Sequence, residues 1–347
     1  MTEAITKKIP IKTILSAIKK EQISLDNSKN GSGIFILKSG NQWLKEAKEK
    51  PEPKPLFLTM WYEGEVCILF ADTTLGKSIL AVLIATQISE FQNSLYIDFE
   101  LSDKQFEARY SNNFTNHYRF PDKFFRAEIN SDEADYESAG FKSLEDYINY
   151  SIEQSILQTN AKILIIDNLT YLRSETEKAK EALPLMKHLK ALKNKYDLSI
   201  LVLAHTPKRN LNLPITRNDL QGSKMLINFC DSAFSIGESA KDKSLRYLKQ
   251  IKSRNSEIIY DSENVAVYEI TKPDNFLSFT FVHTGNEHEH LKHHSVEDKN
   301  SLIEKAKELN NKGISQREIS KQLCIGLGTV NKYLKSDVHD MNEQSNK

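Results

Sequence analysis

An apolar strand that passes directly into a glycine-lysine-serine turn and then into an apolar helix constrains this chain more than any other feature. Residues 66–70 (VCILF) form the apolar run, ADTTLGKSIL occupies 71–80, and the helical pattern continues through 79–88 (ILAVLIATQI). Unpaired N–H groups at the start of a helix attract anions, and the helix dipole adds to this attraction. The pattern therefore predicts a phosphate-binding loop in an α/β fold. Its residues are Ala71, Asp72, Thr73, Thr74, Leu75, Gly76, Lys77 and Ser78.

The second half of this loop carries the groups that bind a nucleotide. Lys77 is expected to reach the β and γ phosphates of ATP, and the Ser78 hydroxyl to bind Mg²⁺. Such a loop usually opens with glycine, where this chain has Ala71. Glycine is needed only where φ is positive or where a methyl group would collide with the ligand. Because Ala71 only leaves the strand, we expect its φ to be negative and the site to bind nucleotide.

Length, charge and cysteine content set broad limits. The chain has 347 residues, which favours about two domains. Lys+Arg and Asp+Glu are equal at 47 each, so net charge identifies no partner. The three cysteines, Cys67, Cys230 and Cys324, are far apart, which fits a reducing, cytoplasmic compartment. No run approaches the roughly 18 apolar residues of a membrane span, so we expect no membrane partner.

Alternating strand and helix patterns predict a mostly parallel sheet with helices on both faces. Short strand patterns without helices follow later in the chain and predict an antiparallel extension of this sheet. The strands of the first group are expected at 66–70, 94–99, 162–166 and 199–204, the helices at 77–91, 102–111, 144–158 and 178–195, and the extension at 246–252, 265–270 and 278–282.

Changes in composition divide the chain. The N-terminal segment is polar and contains one short amphipathic helix pattern, formed by Ile11, Ile14, Leu15 and Ile18. We expect this helix to pack on the main domain or on a neighbouring subunit, because its face lacks the Trp or Phe of a membrane-surface helix. The predicted parts are an N-terminal segment at 1–50, an ATPase domain at 51–283, a histidine-rich linker at 284–297, a helical DNA-binding domain at 298–336 and a tail at 337–347.

Histidines cluster around the predicted linker. They are His283, His288, His290, His293 and His294. No cysteine or tight carboxylate set completes a metal site there, so a polar linker is the favoured interpretation. Metal binding by these histidines remains an alternative.

Two carboxylates at strand ends complete the predicted nucleotide site. Asp167 ends the run AKILIID, where it would hold the Mg²⁺ ion with its water shell. Asn168 follows it, so the general base that activates water must come from elsewhere. The candidate is Glu100, which ends SLYIDFE, the first strand after the loop helix. Each carboxylate, taken alone, could instead be an ordinary solvated charge at a strand end.

Segments after the loop resemble the RecA-fold hexameric helicases of the DnaB and RepA type, and most of all the RepA-like AAA-family ATPases of plasmids and mobile elements. The matching runs, in order, are IDFELSDKQFEARY (97–110), LVLAHTPK (201–208), RNDLQGSKMLINFCDSAFSI (217–236) and KQIKSRNSE (249–257). The resemblance covers about residues 50–283. It implies a RecA-like P-loop NTPase core that binds ATP and Mg²⁺ and assembles as a homo-oligomer, a hexamer in that family.

The resemblance also assigns roles to residues. It implies that Glu100 is the catalytic glutamate, that His205 is a polar sensor at a strand end, and that Lys252 and Arg254 reach the nucleotide of the adjacent subunit. Two departures matter. The sequence shows no pattern of the large N-terminal helical collar found in DnaB-type proteins. The glycine that usually follows the basic pair is also missing, and Ser256 stands close to that position.

Two regions are candidates for DNA contact. In rings of this family the loop at 206–224 faces a central channel, where Lys208, Arg209, Arg217 and Lys224 would track single-stranded DNA. Its alternative is a mobile surface loop. The run ISQREISKQLCIGLGTVNKYLK (314–335) has the pattern of a helix-turn-helix, with Ser315 and Glu318 as a capping box.

This C-terminal segment resembles resolvase- and LuxR-type helix-turn-helix segments. Residues 301–335 hold seven basic and three acidic side chains. Thr329, Asn331 and Lys332 would then face the major groove or phosphates of duplex DNA. Cys324 and Gly326 depart from the usual turn and cap residues. The alternative is a small helical bundle for protein contacts.

These features together predict a cytoplasmic α/β ATPase with a small all-α C-terminal domain. The expected function is that of an ATP-dependent DNA helicase or translocase in the replication of plasmid or mobile-element DNA. Two alternatives remain open: an ATP-gated DNA-binding regulator or replication initiator without unwinding activity, and a loader or partner-remodelling ATPase.

Overall fold

The computed structural model describes residues 35–130, 135–168, 182–207, 209–220, 223–292, 296–323 and 325–335. The chain forms two compact units, Met1–Pro53 and Lys54–Lys347. In the first unit, helix α1 (Gly40–Lys48) begins after Ser39, whose hydroxyl accepts a hydrogen bond from the Gln42 amide. The amphipathic helix predicted at 11–18 lies outside the described residues.

The second unit contains the remaining elements. Its strands are β1 (Pro55–Phe57), β2 (Trp61–Tyr62), β3 (Val66–Ala71), β4 (Ser94–Asp98), β5 (Ser111–Asn112), β6 (Asn116–His117), β7 (Phe124–Ala127), β8 (Ile163–Asp167), β9 (Ser199–His205), β10 (Ser232–Glu238), β11 (Leu245–Lys252), β12 (Val265–Thr271) and β13 (Ser278–Gly285). Its helices are α2 (Lys77–Ser89), α3 (Asp103–Arg109), α4 (Leu144–Thr159), α5 (Ala182–Tyr196), α6 (Ser223–Phe229), α7 (Val296–Asn311), α8 (Gln316–Gln322) and α9 (Leu327–Lys335).

Within the described residues, nine of these strands form one sheet in the order β13-β12-β11-β10-β3-β9-β8-β4-β7. The strands from β10 to β7 in this order are parallel. The pairs β10–β11, β11–β12 and β12–β13 are antiparallel. The predicted α/β class is therefore confirmed: a mostly parallel sheet with an antiparallel extension.

Helices cover both faces of the parallel part, so that its central strands are buried throughout. Along β3, Val66, Ile68 and Phe70 contact the cluster that includes α4 and α5. The alternate residues Cys67, Leu69 and Ala71 contact the cluster built around α2. Burial on both faces explains why these strands are continuous apolar runs in the sequence.

The turn between β12 and β13 reaches the elements that follow β4. The Lys272 ammonium donates to the Ala108 carbonyl at 2.8 Å, and the Leu277 amide donates to the Arg109 carbonyl at 3.1 Å. Phe276 packs against the rings of Tyr110 and Tyr118. The antiparallel extension is thus attached to the helix that comes after Glu100.

The predicted linker differs from what the structure contains. Strand β13 continues to Gly285, and a 3₁₀ turn at Glu287–His290 returns to the interior. Glu287 is fully buried and pairs with the Lys249 ammonium at 2.5 Å, and His290 shares a hydrogen bond with the Ser239 hydroxyl at 2.8 Å. A buried lysine needs a partner carboxylate, and the sequence does not reveal a pair 38 residues apart.

The histidines around the predicted linker were also considered as a possible metal site. Among the described residues no group of three or more His, Cys, Asp or Glu side chains is arranged to hold a metal ion. His293 and His294 lie outside the described residues. Nor does any helix of the described part combine the length and apolar character needed to cross a membrane.

In the described C-terminal residues, α7, α8 and α9 pack around one small core. Its buried members are Ile303, Ala306, Ile319, Val330 and Tyr333. The Ser315 hydroxyl caps α8 by accepting a hydrogen bond from the Glu318 amide at 3.4 Å. The helical character of this region is as predicted, and Cys324 lies outside the described residues.

Candidate nucleotide site at the carboxyl edge of the sheet

The phosphate loop joins β3 to α2, and Gly76 is the residue that makes its geometry possible. Gly76 has a φ of 94° and precedes the first helical residue, Lys77. A Cβ atom at Gly76 would lie 2.9 Å from the Phe279 ring. Thr74 also has a positive φ, whereas Ala71 is the last residue of β3 and does not. The missing first glycine is therefore not required for the loop conformation.

The backbone of this loop forms an anion cradle. The amide groups of residues 74–78 donate no hydrogen bond to any other described residue. They lie at the start of α2, where the helix dipole is positive. Earlier in the loop, the Thr73 amide donates to the Asp72 carboxylate at 2.7 Å. Unpaired donors at the start of a 13-residue helix suit a phosphate group.

Lys77 is buried at the mouth of the cradle. Its ammonium donates to the carbonyls of Ala71 at 3.1 Å and Asp72 at 2.9 Å, and to Nδ1 of His205 at 3.2 Å. Burial lowers the pKa of Lys77, while the negative charges of Asp167 and Glu100 oppose that shift. The lysine thus lies among the other predicted catalytic groups.

Asp167 ends β8 and is completely buried. Its Oδ2 atom accepts a hydrogen bond from the Tyr96 hydroxyl at 2.6 Å, whereas Oδ1 has no partner among the described residues. Burial raises the pKa of Asp167 to about 6, and the nearby Ser78 hydroxyl and the hydrogen bond from Tyr96 oppose that shift. A buried carboxylate oxygen without a partner, close to a serine hydroxyl, fits the oxygen ligands that Mg²⁺ prefers.

Glu100 reaches the site because Asp98 fixes the turn after β4. The Asp98 Oδ1 atom accepts hydrogen bonds from the amides of Glu100 at 3.0 Å and Leu101 at 2.9 Å. Its Oδ2 atom pairs with Nε of Arg126 at 3.0 Å. Asp98 is therefore a structural residue, and the turn that it stabilises directs Glu100 toward the loop.

The Glu100 carboxylate is held by two neighbours. Its Oε1 atom accepts a hydrogen bond from the Asn168 side-chain amide and lies 3.2 Å from Nε2 of His205. The hydrogen bond from His205, then the charge of Lys77 and the hydrogen bond from Asn168, hold the pKa of Glu100 below its usual range. Glu100 is ionised at neutral pH and able to accept a proton.

Strand register explains why these groups meet. Ala71 is paired with His205, and Asp98 with Asp167, so that β3, β9, β8 and β4 end together at the carboxyl edge. Parallel sheets bind ligands at this edge. The structure thus brings together four predicted residues, Lys77, Asp167, Glu100 and His205.

Two further residues of the site were not predicted. Tyr96 holds Asp167, and Asn168 holds Glu100. Asn168 is adjacent to Asp167 and could have been found by asking which side chain replaces the usual glutamate. Tyr96 gave no signal, because an aromatic residue in a buried strand is common.

The predicted basic pair lies at the other edge of the sheet. Lys252 is paired with Ala233 near the start of β10, and its ammonium donates to the Cys230 carbonyl at 2.7 Å. Arg254 pairs with Asp231 at 3.1 Å and is about half exposed (48%). Since β10 runs parallel to β3, this is the amino edge, and the pair does not join the cluster around Lys77 of the same chain.

The predicted DNA-contacting residues divide into exposed and buried ones. Arg209 is mostly buried: its side chain is 9% exposed, lies 3.9 Å from Asp219 and donates to the Leu213 carbonyl. In this conformation Arg209 stabilises its own loop. Arg217 is exposed, as are Asn331 and Lys332 on α9, while Thr329 is half-buried. Lys208 and the side chain of Lys224 lie outside the described residues.

Comparisons with known proteins find a matching family model and matching solved structures. A family model described as an AAA domain, AAA_25, matches residues 37–210, which is half of the chain. Solved structures of 496 chains also match. One is a KaiC-like protein of the hyperthermophilic archaeon Pyrococcus horikoshii, with 14% identity and a TM-score of 0.45 over 63% of this chain and 90% of that chain. A search of curated proteins finds no match.

Proposed function

Because this chain belongs to the AAA domain family AAA_25, we propose that it is a RecA-like ATPase that hydrolyses ATP to move along single-stranded DNA. The observation that carries the hydrolysis proposal is the meeting of Lys77, Asp167 and Glu100 at one edge of the sheet. Phosphate binding, metal binding and water activation each need one of these groups within a single site.

The phosphates of ATP would be held by the amides of residues 74–78 and by Lys77. In the structure, the Lys77 ammonium donates to two carbonyls and to His205. Phosphate oxygens are charged and form stronger hydrogen bonds than neutral acceptors do. Binding therefore draws Lys77 away from His205, which makes His205 the group that senses the phosphate.

Mg²⁺ would be held by the Ser78 hydroxyl and by Asp167. When bound, the ion neutralises part of the negative charge on the β and γ phosphates. Tyr96 fixes one oxygen of Asp167 and leaves the other, Oδ1, free of protein partners among the described residues. Tyr96 thus sets which oxygen of Asp167 faces the ion.

Glu100 would accept a proton from the water that attacks the γ phosphorus. The new phosphorus–oxygen bond forms as the bond to the bridging oxygen of the β phosphate breaks, which leaves ADP and inorganic phosphate. The lowered pKa of Glu100 keeps it ionised for this step.

A homo-oligomeric ring, a hexamer by the resemblance, would complete the active site. Hydrolysis of ATP is accelerated by a cation that stabilises charge in the transition state. Lys252 and Arg254 lie at the amino edge, so they would serve the nucleotide of a neighbouring subunit and not their own.

DNA would be contacted in two ways. Exposed Arg217 lies in the loop after β9, which would track a single strand in the ring channel. On α9, Asn331 and Lys332 are exposed on a domain with excess basic charge, which suits the phosphates and groove of duplex DNA. Replication of plasmid or mobile-element DNA is the setting that the sequence resemblance favours.

One observation favours the second candidate, an ATP-gated DNA-binding regulator that unwinds nothing. The Arg209 side chain is mostly buried. The described part of the loop after β9 therefore exposes fewer cations than the sequence predicts. A regulator needs only duplex contact through the C-terminal helices, and these are independent of that loop.

ATPase and strand-displacement assays separate the two candidates. Hydrolysis by the full chain is measured alone, with single-stranded DNA and with duplex DNA, and unwinding is measured on a forked duplex, with Lys77→Ala as the inactive control. We expect stimulation by single strands and displacement of the annealed strand. Duplex binding without either result would establish the regulator instead, and absence of hydrolysis under all conditions would overturn both.

A further inference from the structure

Asn168 occupies the position next to Asp167, at the end of β8, and is buried against the catalytic groups. It is 5% exposed. Its side-chain nitrogen donates to Oε1 of Glu100 and lies 3.0 Å from Nε2 of His205. The contact connects the residues that follow β8 and β4, and Glu100 and Asn168 are 68 residues apart in the sequence.

The protonation of His205 follows from its partners. A lysine ammonium can only donate, so Nδ1 of His205 must accept from Lys77 and the ring proton is on Nε2. That proton points at Oε1 of Glu100, 3.2 Å away. Two N–H groups, one from Asn168 and one from His205, therefore converge on the same oxygen.

The other oxygen of Glu100 has different surroundings. Oε2 makes no hydrogen bond to any described residue, and the Glu100 side chain is 38% exposed. A carboxylate held by one oxygen has a fixed orientation, with its second oxygen open to a water molecule. A displacement of about 1 Å in a reacting group can reduce a rate by about 100-fold.

We propose that Asn168 is a positioning residue for Glu100, whose side-chain amide holds one carboxylate oxygen so that the other faces the attacking water. This inference rests on the proposed role of Glu100 as general base. In this mechanism Asn168 does not touch the phosphates or the water, and its effect on hydrolysis passes through Glu100. His205 shares the same oxygen but also contacts Lys77, so its position depends on the phosphate, whereas that of Asn168 does not.

The test uses two substitutions that remove the donor in different ways. Asn168→Ala leaves a small cavity, and Asn168→Leu keeps nearly the original volume. In the full chain with Mg²⁺ and ATP, both should lower kcat about 10- to 100-fold and change the Kd for a fluorescent ATP analogue by less than about twofold. Asn93→Ala is the matched control, because Asn93 also uses its amide to hold a neighbouring element, through the Thr159 carbonyl at 2.7 Å, but at the amino end of β4.

A double-mutant cycle with Glu100→Gln identifies the route of the effect. If Asn168 acts through Glu100, adding Asn168→Leu to Glu100→Gln should change the residual single-turnover rate by less than about twofold. An unchanged kcat in the single variants, or an equal loss in the Glu100→Gln background, would overturn the inference. Wild-type turnover by Glu100→Gln alone would show that Glu100 is not the general base. That result would contradict the proposed mechanism itself, and it is obtained without any substitution at Asn168.

Discussion

At the scale of single residues, the glycine that the loop keeps matters more than the glycine that it lacks. Gly76 adopts a φ of 94° and lies under the Phe279 ring from the distant strand β13. Ala71, at the position where such loops usually open with glycine, ends β3 without a positive φ. The conformational requirement therefore falls on Gly76, and the sequence departure at Ala71 has little structural consequence.

Gly76→Ala should weaken nucleotide binding more than tenfold, since the added methyl group meets Phe279 and the left-handed backbone costs about 1–2 kcal/mol for a non-glycine residue. Gly64→Ala is the matched control, because Gly64 has a φ of 73° but open space around its Cβ position. Isothermal titration with ATP and denaturant unfolding are measured for both. Both variants should be destabilised, and only the first should lose affinity; equal affinities would contradict the role assigned to Gly76.

At the scale of elements, the loop after β9 is anchored by a buried ion pair. The Ile215 amide donates to Oε1 of Glu287 at 2.7 Å, and its carbonyl accepts from Lys249 at 2.7 Å. Glu287 and Lys249 come from the turn after β13 and from β11, and the pair is nearly inaccessible to solvent. The backbone of Ile215 thus connects the candidate DNA-binding loop to Glu287, in the segment that precedes the C-terminal helices.

Glu287→Gln should lower the free energy of unfolding by about 3–5 kcal/mol, because it leaves the Lys249 charge buried without a counter-ion. Glu289→Gln is the control from the same turn: its partner Lys241 is 2.5 Å away, but both side chains are about half exposed. Exposed pairs contribute about 0–1 kcal/mol. Urea unfolding of the two variants measures the contrast, and similar small losses in both would show that the buried pair does not anchor the fold.

At the scale of the whole molecule, the two edges of the sheet carry different charged groups. The carboxyl edge carries the groups around Lys77, and the amino edge carries Lys252 and Arg254, since β11 runs opposite to the parallel strands. Arg254 pairs with Asp231 within its own chain. A single chain therefore contains the candidate nucleotide site and, at the opposite edge, the basic pair that we propose completes such a site in another chain.

Arg254→Ala should abolish ATP hydrolysis and leave ATP affinity nearly intact, because the arginine acts on the neighbour's transition state. Mixing this variant with Lys77→Ala tests the arrangement: each is inactive alone, but some mixed interfaces combine an intact loop with an intact arginine. Partial recovery of hydrolysis on mixing is expected. Arg119→Ala, an exposed arginine elsewhere on the chain, is the control. Normal turnover by Arg254→Ala, or a chain that stays monomeric with ATP, would remove the trans mechanism.

The sequence by itself determined the strands that form the centre of the fold. The predicted starts and ends of β3, β4, β8 and β9 agree with the structure to within one residue. Strands buried on both faces must be apolar along their whole length, so their limits are visible as composition. The sequence also predicted that the site residues lie close together, because parallel strands end at one edge of the sheet and the residues at those ends meet there.

Tertiary structure alone decided which side chains hold those groups in place. Three such contacts join residues far apart in the chain: Tyr96 with Asp167, Asn168 with Glu100, and Glu287 with Lys249. The Arg209 side chain, in addition, is buried where the sequence predicts an exposed one. Hydrophobic periodicity and short motifs reflect what a strand, helix or loop needs within its own segment of the sequence. Contacts of this kind depend on strand register and packing, which are fixed only when the whole chain has folded.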